Sequence, residues 1–235
     1  VQSYSPQPAD NVENFYQTGS TFTNTVAVSG GTQNSTFRLS FSDMSNNSIV
    51  PHSSLDRQSA SLRASSQISS KLFADVKVDY TRQKGQNRVQ NGLWLGNVPA
   101  SLSIIARSVD FDWLKDHTKS DGRMQNYKAG APYNPYWLTE KFKNDDTRDR
   151  IIGMARIKYD FTDWLSVQAR TGTDFYTDKR FAMIPHGTPG SDNLNGQVRN
   201  TMWHVKEENS DILLTATGDI SSDFSGTFSA GANHM

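Results

Sequence analysis

The sequence predicts an all-β protein, arranged as a segment of a transmembrane, up-and-down antiparallel β-barrel with long extracellular loops. Three observations lead to this fold class. Apolar and polar residues alternate with a period of two in eight separate stretches, as the side chains of a strand do. The connections between these stretches are alternately short and long. The 235 residues also include 28 serines, 19 threonines and 17 asparagines, a composition typical of strands joined by polar loops.

The eight strands are expected at residues 21–29, 37–42, 59–65, 71–82, 149–159, 165–175, 203–218 and 224–232. The fourth strand shows the alternation most clearly. Its apolar positions are Leu72, Ala74, Val76, Val78 and Tyr80. Polar residues lie between them, and only Phe73 departs from the rule. One face of the predicted sheet is therefore apolar and the other polar.

The lengths of the connections indicate at which end of the sheet each connection lies. The short connections are residues 30–34, 67–71, 160–163 and 219–223, and the long ones are residues 43–55, 83–148 and 182–200. In an up-and-down sheet, all short turns then lie at one end and all long loops at the other. Short periplasmic turns and longer extracellular loops are typical of outer-membrane barrels.

A soluble β-sandwich or a lipocalin-like barrel would also alternate apolar and polar residues. Several of the predicted strands, however, run to about 10 to 14 residues, which suits a tilted membrane strand better than a soluble one. The apolar faces are rich in Ala, Thr and Gly, whose small side chains would bury little apolar surface in a protein core. Aromatic residues near the short turns are placed where an interfacial girdle would lie. They are Phe37, Phe73, Tyr159, Phe161, Trp164 and Phe224.

The longest connection, residues 83–148, is expected to contain one or two short helices. Apolar residues recur at close to helical spacing in its first half, at Val98, Leu102, Ile105, Val109 and Trp113. Pro99 suits the first turn of a helix.

The same loop is unusually rich in aromatic residues, among them Tyr127. Two interpretations are open. The rings can pack the loop on itself, which is the favoured interpretation because a long ordered loop needs its own small core. Alternatively, some of them form a stacking surface for a ligand such as a sugar. The candidate contact residues for a substrate or partner are Trp94, Trp113, Tyr133, Tyr136 and Trp137.

The residues do not indicate catalysis, a cofactor or a metal site, and we expect the protein not to be an enzyme. The chain has no cysteine, and its net charge of zero provides no reason to expect nucleic acid as a partner. The histidines at 52, 117, 186, 204 and 234 are interpreted as solvated, because none has the spacing of a metal pair. The charged run at residues 145–150 lacks the spacing of a calcium loop and is interpreted as the solvated start of a strand.

Several short motifs resemble the SusC/RagA type of TonB-linked outer-membrane transporter from Bacteroidetes. They are NVENFYQTG (11–19), VAVSGG (26–31), FRLSFS (37–42), YNPYW (133–137), DTRDR (146–150) and GTDFY (172–176). These motifs follow one another in the family's order across nearly the whole chain. The resemblance implies that the chain is an internal fragment of a 22-stranded barrel, with roughly eight of its strands in view.

The resemblance also implies a function for the parent protein. Family members import oligosaccharides or peptides together with a SusD-like surface lipoprotein, using energy passed through TonB to an N-terminal plug. The expected location is the outer membrane of a Gram-negative bacterium, crossed many times and in contact with its lipid. A TonB box and a plug domain are not recognised in this sequence, so residues 1–235 are expected to belong to the barrel domain. Of the two substrate classes, glycan is expected first.

Charged residues on the polar strand faces would line the lumen of such a barrel, since an Arg or Lys facing lipid costs about 2 to 4 kcal/mol at the midplane. They are expected to pair with one another and with the plug. They are Arg38, Arg57, Arg63, Lys77, Arg156, Lys158, Arg170, Asp75, Asp79 and Asp174.

A second hypothesis is a soluble or surface-exposed β-rich module that binds carbohydrate through the aromatic loop at residues 91–137. A third, an enzyme embedded in a barrel, lacks a supporting set of residues.

Overall fold

The computed structural model describes residues 5–90, 92, 96–130, 132–189 and 195–235. Its eight strands form one antiparallel sheet in which each strand pairs with its neighbours in sequence, which confirms the all-β, up-and-down prediction. The strands are β1 (Ser20–Gly31), β2 (Ser35–Asn47), β3 (Ser54–Gln67), β4 (Leu72–Gln86), β5 (Lys143–Asp160), β6 (Leu165–Ile184), β7 (Gln197–Ser221) and β8 (Phe224–His234). Between β4 and β5 lie the helices α1 (Val98–Ile104), α2 (Phe111–Leu114) and α3 (Pro135–Lys141). Two short 3₁₀ turns, Ala9–Asn11 and Glu13–Phe15, precede β1.

Several strands are longer than predicted, so the long loops are shorter. β5, β6 and β7 have 18, 20 and 25 residues. The long connections are reduced to residues 48–53, 87–142 and 185–196. The charged run at residues 145–150 lies near the start of β5, in agreement with the predicted strand start, but its residues are half-buried and pair with β6 throughout. A cross-strand ion pair between Arg148 and Asp178 stabilises the extension. The pair of Arg150 with Asp174 lies next to it, within the predicted strands.

The apolar face continues from strand to strand, as the alternation predicted. One row of register partners across β1 to β6 consists of Val26, Phe41, Ala60, Tyr80, Ile151 and Phe175. Most of the large residues on this face are exposed, for example Val26 at 68% and Phe228 at 70%. An apolar surface of this extent indicates an apolar environment around the sheet.

The polar face is held together by hydroxyl contacts and ion pairs. Asp75 lies between Arg63 at 4.0 Å and Arg156 at 3.3 Å. Lys77 contacts Asp79 at 2.9 Å on the same face. Mutual pairing of these charges is thereby confirmed. Contact with a plug stays a prediction. The expected pairing is not found for Arg38 or Arg57, neither of which forms an ion pair with a residue that the structure describes.

The aromatic residues near the short turns do not all share a face. Phe37 and Tyr159 lie on the apolar face, and the rings of Tyr159 and Phe161 meet edge to face with centroids 5.0 Å apart. Phe73 instead lies on the polar face, with the Arg156 guanidinium 5.3 Å from its ring centre. Its expected place in an apolar girdle is therefore wrong, because it stands one residue out of phase with Leu72.

The buried apolar core lies at the long-loop end of the sheet. Its members are Phe15, Val50, Val98, Leu102, Val109, Phe111, Leu114, Met124, Trp137, Leu138 and Phe142. None of them belongs to a strand. Among the described residues, no helix is both long and apolar enough to cross a bilayer.

The predicted helical stretch at 98–113 is confirmed in part. Pro99 lies in the first turn of α1, and the Asn97 side chain accepts a hydrogen bond from the Ala100 amide at 3.0 Å. The helix then ends, because Ile105 takes an extended conformation. A second helix starts after Asp110, whose carboxylate accepts from the Asp112 amide at 2.8 Å.

Candidate functional site

Four segments meet at the long-loop end of the sheet and form one packed unit, which we call the loop assembly. They are residues 5–19, 48–53, 87–142 and 185–196, as far as these are described. The first is joined to the third through Asn11, whose side-chain amide donates to the Val109 carbonyl at 2.8 Å. The side-chain carbonyl of Asn11 accepts a hydrogen bond from the Phe111 amide at 3.1 Å. Phe15 extends the core of the assembly into the same segment.

The segment before β7 is joined to the assembly through Trp137. The indole N–H of Trp137 donates to Thr188 Oγ1 at 3.0 Å, and both residues are buried. Nearby, the Met124 amide donates to the Gly187 carbonyl at 3.1 Å. Gly187 has a φ of +83°, and a Cβ at this position would lie 2.8 Å from the Cα of Arg123. Only glycine therefore permits this close approach without a shift of the backbone.

A buried asparagine is the central polar link of the assembly. Asn134 is fully buried and donates to the carbonyls of Leu114 at 2.7 Å and Gln125 at 3.0 Å. Its own carbonyl accepts from the Tyr136 amide at 3.0 Å and so caps α3. Because Asn134 is shielded from solvent, its side-chain amide depends on these partners for its hydrogen bonds.

The structure brings together three of the five predicted contact residues. Trp137 is a core residue, and Tyr133 and Tyr136 pack against the same core while remaining partly exposed. Trp113 lies on α2 with 45% of its surface exposed. Trp94 lies outside the described residues. Contact of these five residues with a ligand or partner stays a prediction.

Burial changes the acidity of the tyrosines in this assembly. It raises the pKa of Tyr127, Tyr133 and Tyr136 above the ordinary value for a phenol. The Tyr136 hydroxyl is buried without a hydrogen-bond partner among the described residues. These phenols are therefore neutral near pH 7, and any hydrogen bond they offer to a ligand is that of a neutral hydroxyl.

One histidine differs from the expectation that all five are solvated. His117 is buried, with Nε2 2.9 Å from Glu140 Oε2 and Nδ1 2.7 Å from Thr118 Oγ1. Its ring meets that of Trp137 edge to face at 5.9 Å. The other four histidines are exposed. Within the described ranges, no group of three or more His, Cys, Asp or Glu side chains is placed to hold a metal ion.

A second feature of interest lies on the polar face of β5 to β7, towards the long-loop end. We call it the arginine–aromatic cluster, and its members are Arg148, Arg150, Tyr176, Arg180 and Trp203. The guanidinium of Arg148 lies 4.9 Å from the ring centre of Tyr176, and that of Arg180 lies 4.8 Å from the ring centre of Trp203.

A buried carboxylate, that of Asp178, holds two arginines of this cluster in place. Asp178 accepts from Arg148 Nε at 2.8 Å and from Arg180 Nε at 3.0 Å. Sequence reasoning missed the cluster because it ended the strands too early. Alternation gave no signal there, because residues 176–180 carry polar side chains on both faces of β6.

Comparisons with known proteins agree with this architecture. No model of a known protein family matches the chain, and no curated protein matches its sequence significantly. Solved structures do match. The RagAB peptide importer in its "closed-closed" state matches with a TM-score of 0.70 and 16% identity, over 96% of this chain and 25% of that chain. Its "open-open" state has the same TM-score and identity, over 95% and 25%.

A more distant match is the P. aeruginosa protein FpvA in complex with heterologous pyoverdine and iron. The TM-score is 0.56 at 13% identity, over 92% of this chain and 26% of that chain. The fold is that of a β-barrel segment of TonB-dependent transporters. The chain spans about a quarter of the length of these proteins.

Proposed function

We propose that this chain is part of a SusC/RagA-type, TonB-dependent outer-membrane transporter, and that it forms barrel wall and extracellular loops without catalysis. One observation carries the proposal. The sheet exposes a continuous apolar face, while the buried core is confined to the loop assembly at one end. A protein built in this way is stable only where lipid covers the apolar face. The likeness to RagAB over 96% of the chain supports the same assignment.

The proposed substrate is a peptide or an oligosaccharide. The RagAB structures are described as those of a peptide importer, which supports the peptide class. The aromatic residues of the loop assembly, above all the exposed Trp113, support the oligosaccharide class, since sugar rings stack on exposed indoles. Uptake assays with both substrate classes, in cells with and without the gene, distinguish the two.

The proposed partner is a SusD-like surface lipoprotein that contacts the loop assembly. The assembly suits this role because its segments are fixed to one another by buried contacts such as Trp137 with Thr188, so it offers a rigid surface. Energy would reach the protein from the TonB complex through a part of the transporter other than this barrel segment.

Fractionation of native membranes tests the proposal. An antibody to the loop at residues 116–140 is expected to detect a protein in the outer membrane that brings down a lipoprotein after mild solubilisation. Deletion of the gene is expected to abolish uptake of one substrate class. Detection of the protein in the soluble fraction would overturn the transporter assignment and favour the alternative, a β-rich carbohydrate-binding module.

A further inference from the structure

Two aromatic rings of the arginine–aromatic cluster stand side by side on the polar face of the sheet. Tyr176 on β6 is the register partner of Val205 on β7, and Trp203 lies two residues before Val205 on the same strand. Diagonal neighbours of this kind are about 7 to 8 Å apart. The two rings therefore form adjacent contact surfaces on the wall of the sheet.

The indole of Trp203 is only partly covered. The guanidinium of Arg180 lies over the ring at 4.8 Å from its centre, yet 42% of the residue stays exposed. Tyr176 is half-buried, with Arg148 over its ring at 4.9 Å. An exposed aromatic ring offers a ligand a large, rigid apolar surface.

Unused hydrogen-bonding groups lie at both ends of this aromatic pair. Arg180 donates from Nε to the buried Asp178 at 3.0 Å, and its two Nη groups donate to no residue that the structure describes. On the other side of the rings, Glu207 is exposed and forms no ion pair with a described residue. Donors are therefore available at one end and acceptors at the other.

The distance between these two ends gives the length of the site. Arg180 pairs with Thr201, and Thr201 lies six residues before Glu207 on β7, which is about 20 Å along the strand. Trp203 and Tyr176 lie between the two ends. A site of this length suits a chain of several units better than a single small molecule.

The charges of the site balance one another. Four arginines stand against four carboxylates, which gives a sum of zero. The arginines are Arg88, Arg148, Arg150 and Arg180, and the carboxylates are Asp146, Asp174, Asp178 and Glu207. Arg199, one row nearer the long loops, adds one positive charge beyond this set. The site therefore suits a neutral polar ligand better than a strongly charged one.

We infer that the arginine–aromatic cluster is a binding site for a neutral oligosaccharide on the inner wall of the barrel. The inference rests on the proposed function, which places the polar face in the lumen of a transporter, and it names the substrate class. Each unit of a sugar chain has a face of C–H groups that can stack on Trp203 or Tyr176. Each unit also has hydroxyls that both donate and accept, as Arg180 and Glu207 require.

The test measures binding to the full-length protein, purified in detergent, by isothermal titration calorimetry. The probes are neutral oligosaccharides of glucose, mannose and xylose, with oligogalacturonate and tryptic peptides of casein for comparison. The wild type is expected to bind at least one of the neutral oligosaccharides. Trp203→Ala is expected to weaken that binding at least about tenfold, since exposed aromatic anchors commonly contribute this much.

A second variant and a control accompany this change. Arg180→Gln keeps the indole but removes the guanidinium, and is expected to weaken binding about threefold to tenfold. The matched control Met202→Ala changes an exposed residue next to Trp203 that lies on the opposite face of β7. It is expected to bind as the wild type does.

Wild-type affinity in both Trp203→Ala and Arg180→Gln would overturn the inference, and so would an equal loss in Met202→Ala. Binding of none of the neutral oligosaccharides, or preferential binding of peptides or oligogalacturonate, would also overturn it. Membrane fractionation separates these failures from that of the proposed function. A protein in the outer membrane that fails the binding test refutes the oligosaccharide site alone, whereas a protein absent from the outer membrane refutes the transporter assignment.

Discussion

The indole N–H of Trp137 donates to Thr188 Oγ1 at 3.0 Å and joins two loops through residues that are 51 positions apart in sequence. Thr188 in turn donates to the Pro185 carbonyl at 2.9 Å. The loop between β4 and β5 and the loop between β6 and β7 are thereby fixed to each other. A lipoprotein or substrate that contacts one of them would meet the other in a defined position.

Replacement of Trp137 by Phe is expected to loosen this connection. The variant retains most of the apolar contact but removes the hydrogen bond, at a cost of about 1 to 3 kcal/mol in stability of the loop assembly. Hydrogen exchange should then become faster at the Met124 amide, which donates to the Gly187 carbonyl in the same contact. The matched control is Trp113→Phe, which changes an exposed indole and is expected to shift stability by less than about 0.5 kcal/mol. Unchanged exchange in the Trp137 variant would contradict the assignment.

Replacement of Asn134 by Ala is expected to destabilise the loop assembly more strongly. The change leaves the carbonyls of Leu114 and Gln125 without their donor and removes the cap of α3. We expect the loop assembly to lose about 2 to 4 kcal/mol of stability. Limited proteolysis within residues 87–142 measures this loss as an increased rate of cleavage. The control Ser103→Ala removes an exposed hydroxyl that bonds the Ala100 carbonyl, and its rate should match that of the wild type.

The two faces of the sheet are tested at neighbouring positions of β4. Val76→Arg places a charge on the apolar face, at an expected cost of about 2 to 4 kcal/mol near the membrane midplane. This variant should show reduced assembly in the outer membrane. Lys77→Ala removes one ion pair with Asp79 on the polar face and should assemble normally, because exposed pairs contribute about 1 kcal/mol at most. Equal tolerance at both positions would show that the faces are assigned incorrectly.

The stability of the loop assembly is expected to depend on pH through the ionisation of its buried tyrosines. Burial raises the pKa of Tyr136, so the folded assembly binds the phenolic proton more tightly than the unfolded chain. The resulting stability is fully present below about pH 10, the ordinary phenol value, and is lost as the pH rises through the pKa of the folded state. Near-ultraviolet circular dichroism at increasing pH measures this loss.

Tyr136→Phe is the informative variant for this titration. The hydroxyl is buried without a partner among the described residues, so its removal should leave stability near pH 7 unchanged or slightly increased. The alkaline loss of signal should become smaller than in the wild type. An unaltered alkaline profile would mean that Tyr136 does not contribute to it.

The order of the strands, their faces and the position of the long loops could be predicted because period-two alternation is a local property of the chain. Leu72 to Tyr80 show it within a single strand, and the structure places them as predicted. The upper parts of β5 to β7 could not be predicted in this way. Their residues are polar, and they extend the strands only because partners such as Arg148 and Asp178, 30 residues apart, meet across the sheet.

The burial of His117 also depends on distant parts of the chain. A histidine in a polar loop is read from sequence as solvated, yet Glu140 and the ring of Trp137 enclose it. The same holds for Trp137 and Thr188, which become core residues only when the loops meet. Local alternation of side chains thus specified the sheet and its two faces, whereas packing between segments far apart in sequence specified the loop assembly and the arginine–aromatic cluster. The reason is physical: strand periodicity follows from the backbone of each residue, but burial and ion pairing require a partner that only the folded chain brings near.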